Sequence, residues 1–162
     1  MKSILLLLVC CLIVRNGLSQ DIKISHSDVT YFNDTITYEL KDQLPDGIYK
    51  VYYNQQKTVL EYSGELSNHK RINKWSWFYE TGKKKTEISY VDGLIYGQYI
   101  SYYPTEQQEV LIPYVVGNRV GSSMGWYPTG IKLFEGSYAN GKPIGIWKFY
   151  NEDGTLHNEN QY

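Results

Sequence analysis

The chain has 162 residues, a length suited to one domain. Its 17 tyrosines, 4 tryptophans and 4 phenylalanines give it enough apolar surface to repay ordering, which excludes a disordered chain. A net charge of −1 excludes a general polyanion binder, and 2 cysteines with 3 histidines leave little for a metal centre.

Residues 1–19 have the layout of a secretory signal peptide. Lys2 opens it, Ile4 to Val14 is an unbroken apolar run, and Gly17-Leu18-Ser19 places small residues before a cleavage point at Gln20. That run is too short for a membrane-spanning helix, which needs about 20 apolar residues. Lipid attachment at Cys10 or Cys11 is disfavoured by the bulk of Val9 and Cys10 ahead of them. Cleavage removes both cysteines together with Lys2 and Arg15. The expected product is exported (periplasmic, at the cell surface or extracellular), more acidic, and unable to form disulfides or Cys–zinc sites.

Residues 20–46 read as an N-terminal segment, in which Asp28–Phe32 and Thr35–Leu40 flank Asn33-Asp34 as a β-hairpin. Asn33-Asp34-Thr35 also matches the N-glycosylation pattern, which matters only on a eukaryotic secretory route.

From residue 47 to 162 the chain repeats with a period of 24. Gly145, Trp147, Tyr150, Gly154, Glu159 and Tyr162 have counterparts one period earlier in Gly121, Ser123, Trp126, Gly130, Glu135 and Tyr138. The next period back holds Gly97, Tyr99, Tyr102, Glu106, Leu111 and Tyr114, and the one before it Asn73, Trp75, Phe78, Gly82, Glu87 and Tyr90. A step of 26 then reaches Gly47, Tyr49, Tyr52, Gln56 and Glu61, with the two extra residues read as falling between this unit and the next. Further glycines recur at Gly93, Gly117 and Gly141.

Each unit reads as two short strands. Thr81-Gly82, Thr129-Gly130 and Asp153-Gly154 mark the first turn; Asp92-Gly93 and Asn140-Gly141 mark the second. Asx-Gly pairs supply the positive φ angles of two-residue hairpins. Centring the first turn on the eighth and ninth residues after the anchor glycine sets Lys50 opposite Glu61, Ser76 opposite Glu87 and Ile100 opposite Leu111. It also sets Met124 opposite Glu135 and Lys148 opposite Glu159, so an exchange of Lys148 with Glu159 is expected to be nearly silent. The same register lays Tyr114, Tyr138 and Tyr162 across Gly97, Gly121 and Gly145, where an aromatic can recover packing that a strand glycine loses. Most aromatics then share one face. The other face keeps the row Tyr52, Phe78, Tyr102, Trp126, Tyr150 among Lys, Glu and Ser.

The pattern Gly-x-Trp-x-x-Tyr, a hairpin glycine, Glu-x-x-Tyr and Asn-Gly-Lys, fullest in residues 121–162, resembles the MORN-type repeat in its bacterial variant form. The resemblance implies an all-β, elongated antiparallel meander of about five 24-residue hairpins. It also implies scaffolding, self-association or lipid binding more often than catalysis, and bacterial relatives of the variant often carry an antitoxin-like label. Glu106 in place of a turn glycine and Pro113 in a strand depart from the pattern, and Pro113 is expected to interrupt its ladder.

Candidate chemistry is sparse. His26, His69 and His157 fall at unrelated repeat positions, and no nucleophile or carboxylate recurs beside them, so neither an enzyme nor a cofactor is expected. Trp75, Trp77, Tyr99 and Trp147 are candidates for stacking on sugar rings or seating a partner. Lys70, Arg71, Lys74, Lys83, Lys84 and Lys85 form a candidate basic patch for a lipid headgroup or polysaccharide. The expected function is an exported, non-enzymatic binding or scaffolding surface, with a protein partner or self-association first and no nucleic acid. A glycan or lipid-headgroup module and an immunity-like partner of a toxin are the alternatives.

Overall fold

The computed structural model describes residues 22–25, 46–53 and 58–162. The leader, the hairpin over Asp28–Phe32 and Thr35–Leu40, Asn33 and His26 lie outside the described residues.

Among the described residues, twelve strands form one open sheet. In chain order they are β1 (Ile22–Ser25), β2 (Gly47–Tyr52), β3 (Leu60–Ser67), β4 (Lys70–Phe78), β5 (Lys84–Val91) and β6 (Leu94–Tyr102). There follow β7 (Gln108–Val115), β8 (Asn118–Arg119), β9 (Gly121–Trp126), β10 (Lys132–Ala139), β11 (Lys142–Tyr150) and β12 (Leu156–Gln161). From β2 onward every pairing is antiparallel and, apart from β7 with β9, joins consecutive strands, an elongated series of hairpins. β1 is the exception and lies parallel to β2.

The expected register holds in four units, where Ser76 faces Glu87, Ile100 faces Leu111, Met124 faces Glu135 and Lys148 faces Glu159. It fails in the first, where Lys50 faces Ser63 and not Glu61. The cause is loop length. Tyr53 N–H closes that hairpin on Val59 O, whereas Tyr79 closes on Lys83 and Tyr127 on Ile131. The two extra residues therefore sit inside the first hairpin and not after it.

The two turn types also differ. First turns are three-residue loops in which only the last residue has positive φ: Gly82 at 81°, Gly130 at 85°, Gly154 at 82°, and Glu106 at 73° without help from glycine. This corrects the expectation of a two-residue turn at Thr81-Gly82, Thr129-Gly130 and Asp153-Gly154. Second turns are two-residue with both residues at positive φ, as at Asp92-Gly93, Val116-Gly117 and Asn140-Gly141. They stack edge to edge, since Gly93 N–H donates to Arg71 O, Gly117 to Ile95 O and Gly141 to Arg119 O.

Gly97 faces Tyr114 and Gly121 faces Tyr138 as expected, and Gly145 and Tyr162 exchange both backbone hydrogen bonds. The anchors have a second reason to be glycine. Gly97, Gly121 and Gly145 have φ of 104°, 66° and 66°, and Asn73 takes the same role at 58° opposite Tyr90. The ladder beyond β7 breaks around Pro113, but the equivalent breaks at 63–65, 88–90 and 135–137 have no proline, so the break belongs to the repeat. β7 pairs β9 only at Val110 and Leu111 and β8 only at Tyr114 and Val115, with Pro113 accepting a bond from Val120 N–H between them.

The buried cluster lies on the aromatic face at the low-numbered end: Tyr49, Val51, Tyr62, Leu66, Trp75, Trp77, Ile88 and Tyr90. A second aromatic group surrounds Trp147. Phe134 stacks on it at 5.9 Å, and Tyr138 and Tyr162 meet it edge-on at 4.8 and 6.3 Å.

Candidate functional site

The candidate rings are mostly inside the sheet's own packing. Trp75 is 0% exposed, Trp147 6% and Trp77 9%, while Tyr99 is half-buried. Trp75 and Trp147, three units apart, are held in the same way. Each lies flat on the glycine of the preceding strand, so that a Cβ on Gly64 would fall 2.0 Å from Trp75 and one on Gly136 2.1 Å from Trp147. Each indole N–H donates across the same step, Trp75 to Glu65 O and Trp147 to Ser137 O, both at 3.1 Å. Arg71 then covers Trp75, its guanidinium 4.7 Å from the ring centroid. Rings so enclosed have little face left for a sugar.

The six candidate cations do not form one patch. Lys70 and Arg71 begin β4, and Lys83 to Lys85 lie beyond its far end, about 25 Å away at roughly 3.3 Å per residue. Arg71 sits on the aromatic face, and its Nη1 donates to Tyr90 Oη. Lys70 pairs with Asp92 at 2.8 Å, Lys74 with Glu87 at 3.6 Å, Lys83 with Glu106 at 3.6 Å and Lys84 with Glu87 at 2.8 Å. Lys85 lies over the Tyr79 ring. Lys70–Asp92 and Lys83–Glu106 bridge adjacent units, whereas Lys74 and Lys84 meet Glu87 within one unit.

Two polar clusters recur on the charged face. Lys84 donates to Glu87, which also accepts from Tyr102 Oη, and Lys132 donates to Glu135, which accepts from Tyr150 Oη at 2.6 Å. Burial pushes the Glu87 carboxyl up, but the Lys84 hydrogen bond and the Lys84 and Lys74 charges outweigh it and leave it below the ordinary range. Hydrogen bonds from Lys132 and Tyr150 hold Glu135 low in the same way. Both carboxylates are thereby committed as structural anions.

One row escaped the sequence reading. Tyr53 Oη donates to Phe78 O, Tyr79 to Tyr102 O, Tyr103 to Trp126 O and Tyr127 to Tyr150 O, at 2.7–2.9 Å. Each unit thus reaches into the next from the residue after the strand. The 24-residue recurrence of these tyrosines was the available signal. In the last unit Asn151 stands there, its side chain bonded within its own turn to Thr155.

Among the described residues no group of three or more His, Cys, Asp or Glu is placed to hold a metal ion. His69 lies in a turn, its backbone N–H bonded to Asp46, and His157 is exposed on β12.

The family described as the MORN repeat variant matches residues 72–92 and 143–162. Two stretches of the chain are thus similar to the MORN repeat variant. No curated protein matches it. The two MORN matches cover the units that carry Trp75 and Trp147. The units between them hold Tyr99 and Ser123 in the tryptophan place, together with Glu106, Pro113 and Val116. The repeat sheet carries polar groups that recur in register and join unit to unit.

Proposed function

We propose that this protein is exported and that its repeat sheet is a surface for binding another protein in the cell envelope or outside the cell. The N-terminal layout of residues 1–19 supports export. The observation that carries the interaction reading is what the sheet leaves uncovered. Trp75, Trp77 and Trp147 are buried and Lys70, Lys74, Lys83 and Lys84 are paired with carboxylates, whereas Val91, Leu94, Tyr96, Val115, Val116, Ile144, Ile146, Leu156 and Tyr162 are exposed. Large exposed apolar side chains favour a protein partner over a soluble anion or glycan.

The test is retention of envelope proteins by the immobilised protein, with a glycan panel and phospholipid vesicles alongside. Saturable retention of one protein, reduced by polar substitution at Leu94 or Ile146, is expected. Binding only to glycan or vesicles, or no binding at all, overturns the reading. Detection of the purified protein in the cytoplasm with residues 1–19 attached overturns the export half.

A further inference from the structure

Each first hairpin ends its pairing with a β-bulge. In the third unit Ser101 faces Val110 and Tyr102 faces Gln108, which leaves Glu109 as the extra residue. Lys85, Leu133 and His157 hold the same place in other units. Glu109 turns onto the aromatic face, where its Oε2 accepts a 2.9 Å hydrogen bond from Ser101 Oγ. Ser101 is itself 7% exposed.

The rings thin out here. Across the sheet at this level stand Trp77, Thr86, Ser101, Val110, Gly125 and Phe134. Phe134 lies down on Gly125, where a Cβ would fall 2.3 Å from its Cε1. The gap between rings therefore spans Thr86, Ser101 and Val110, on β5 to β7. Tyr99 and Tyr103 flank it, two residues either side of Ser101. Tyr79 and Tyr103 are fixed in place by their bonds to Tyr102 O and Trp126 O. Burial, and then the Glu109 charge, push the phenols of Tyr79, Tyr99 and Tyr103 above 10.0, so all three lie within the field of the carboxylate.

Glu87, Asp92, Glu106 and Glu135 each meet a lysine, but among the described residues no Lys, Arg or His is within ion-pair distance of Glu109. Lys85, the bulge residue one unit back, lies over the Tyr79 ring at 5.7 Å from its centroid. A half-buried carboxylate set among ring faces, with a serine as its hydrogen-bond partner, is matched to a cation.

We propose that Glu109 receives one alkylammonium group, the side chain of a lysine on the protein partner, with its methylenes along Val110 and its charge against the tyrosine rings. The inference rests on the protein-interaction reading above and names a side chain that the surface takes up. Ser101 already holds Oε2, so Oε1 is left, which suits a point-charge ammonium better than the paired donors of a guanidinium. One carboxylate is too few for a divalent ion, and a neutral sugar would leave that charge unpaired.

The test titrates Nα-acetyl-lysine methylamide into the purified protein while NMR follows the ring signals of Tyr79, Tyr99 and Tyr103. Saturable shifts at about millimolar probe, weakened by salt, are expected. The norleucine analogue, which lacks the ammonium, should produce none. Glu109→Gln keeps an acceptor for Ser101 and should weaken binding by about tenfold or more without lowering the melting temperature. Val110→Phe places here the residue that Phe134 supplies one unit on, and should abolish binding in a protein that still melts cooperatively. No shift in the parent, equal shifts with norleucine, tighter binding of the arginine analogue, or either variant binding like the parent overturns the proposal. Immobilised parent and Glu109→Gln are then compared for the envelope protein they retain. Equal retention overturns the partner's lysine and leaves the interaction reading standing. Probe binding with no protein retained overturns the interaction reading and the lysine with it, and makes a free amine the ligand.

Discussion

A glycine hydrogen at position 136 is what lets Trp147 lie flat on the neighbouring strand, and Gly64 does the same for Trp75. The equivalent place in the intervening units is filled by Ile88 beside Tyr99 and Ile112 near Ser123, so ring size and the residue beneath it vary inversely. Gly136→Ala should therefore cost about 1–3 kcal/mol, because a rigid indole cannot step aside from a methyl group. The shift of the urea midpoint measures it. Val116→Asn should do the reverse. Asparagine is already used at Asn68 and Asn140, and relief of left-handed valine backbone is worth about 1–2 kcal/mol in a thermal melt of the dilute protein.

At the scale of strands and turns, the phenol ladder is the element most open to test. Tyr103→Phe removes one bond to Trp126 O and leaves that carbonyl without it, for an expected loss of about 0.5–1.5 kcal/mol. Burial, and then the charge of Glu109, push the Tyr103 phenol above its usual value of 10.0. The unfolded chain therefore gives up this proton first as pH rises. Tyr103's contribution is full below about pH 10 and is lost as pH climbs through the folded value. Denaturation curves across that range should fall less steeply for Tyr103→Phe than for the parent. The Lys148–Glu159 pair needs a different prediction from the one its sequence suggests. Lys148 also faces Glu135 on β10, so exchanging Lys148 with Glu159 sets two carboxylates side by side and is not silent. Lys148→Glu alone should cost more than the exchange, each opposed pair being worth about 0.2–1 kcal/mol. Paired melts of the two variants decide it.

For the whole molecule, units touch only their neighbours, so stability is a sum along one dimension. Gly136→Ala should loosen amide protection in β10 to β12 while β3 to β5 keep theirs, which hydrogen exchange resolves strand by strand. Much of this organisation was legible in the sequence. A 24-residue period with opposed charges fixes hairpins and register, because strand geometry demands both. Three things were not. A glycine at the first turn serves a two-residue or a three-residue loop equally well, so the turn type stayed hidden. The two inserted residues could sit in the first loop or after it, and only the closing bond from Tyr53 to Val59 decides. The cations lie close together in sequence, yet a nine-residue strand separates them. The acidic partners of Lys70 and Lys83, Asp92 and Glu106, stand about one repeat away.

The ladder's span from donor to acceptor is 23 residues at three steps and 25 at the first, with a bond of the same length each time. The sheet therefore measures distance across strands and is indifferent to how much chain passes through a hairpin tip. The tips between Tyr79 and Lys83, and between Tyr127 and Ile131, are consequently places where foreign peptides can be spliced in and displayed at a fixed spacing. The opposite edge, whose turns are bonded to one another, offers no such slack.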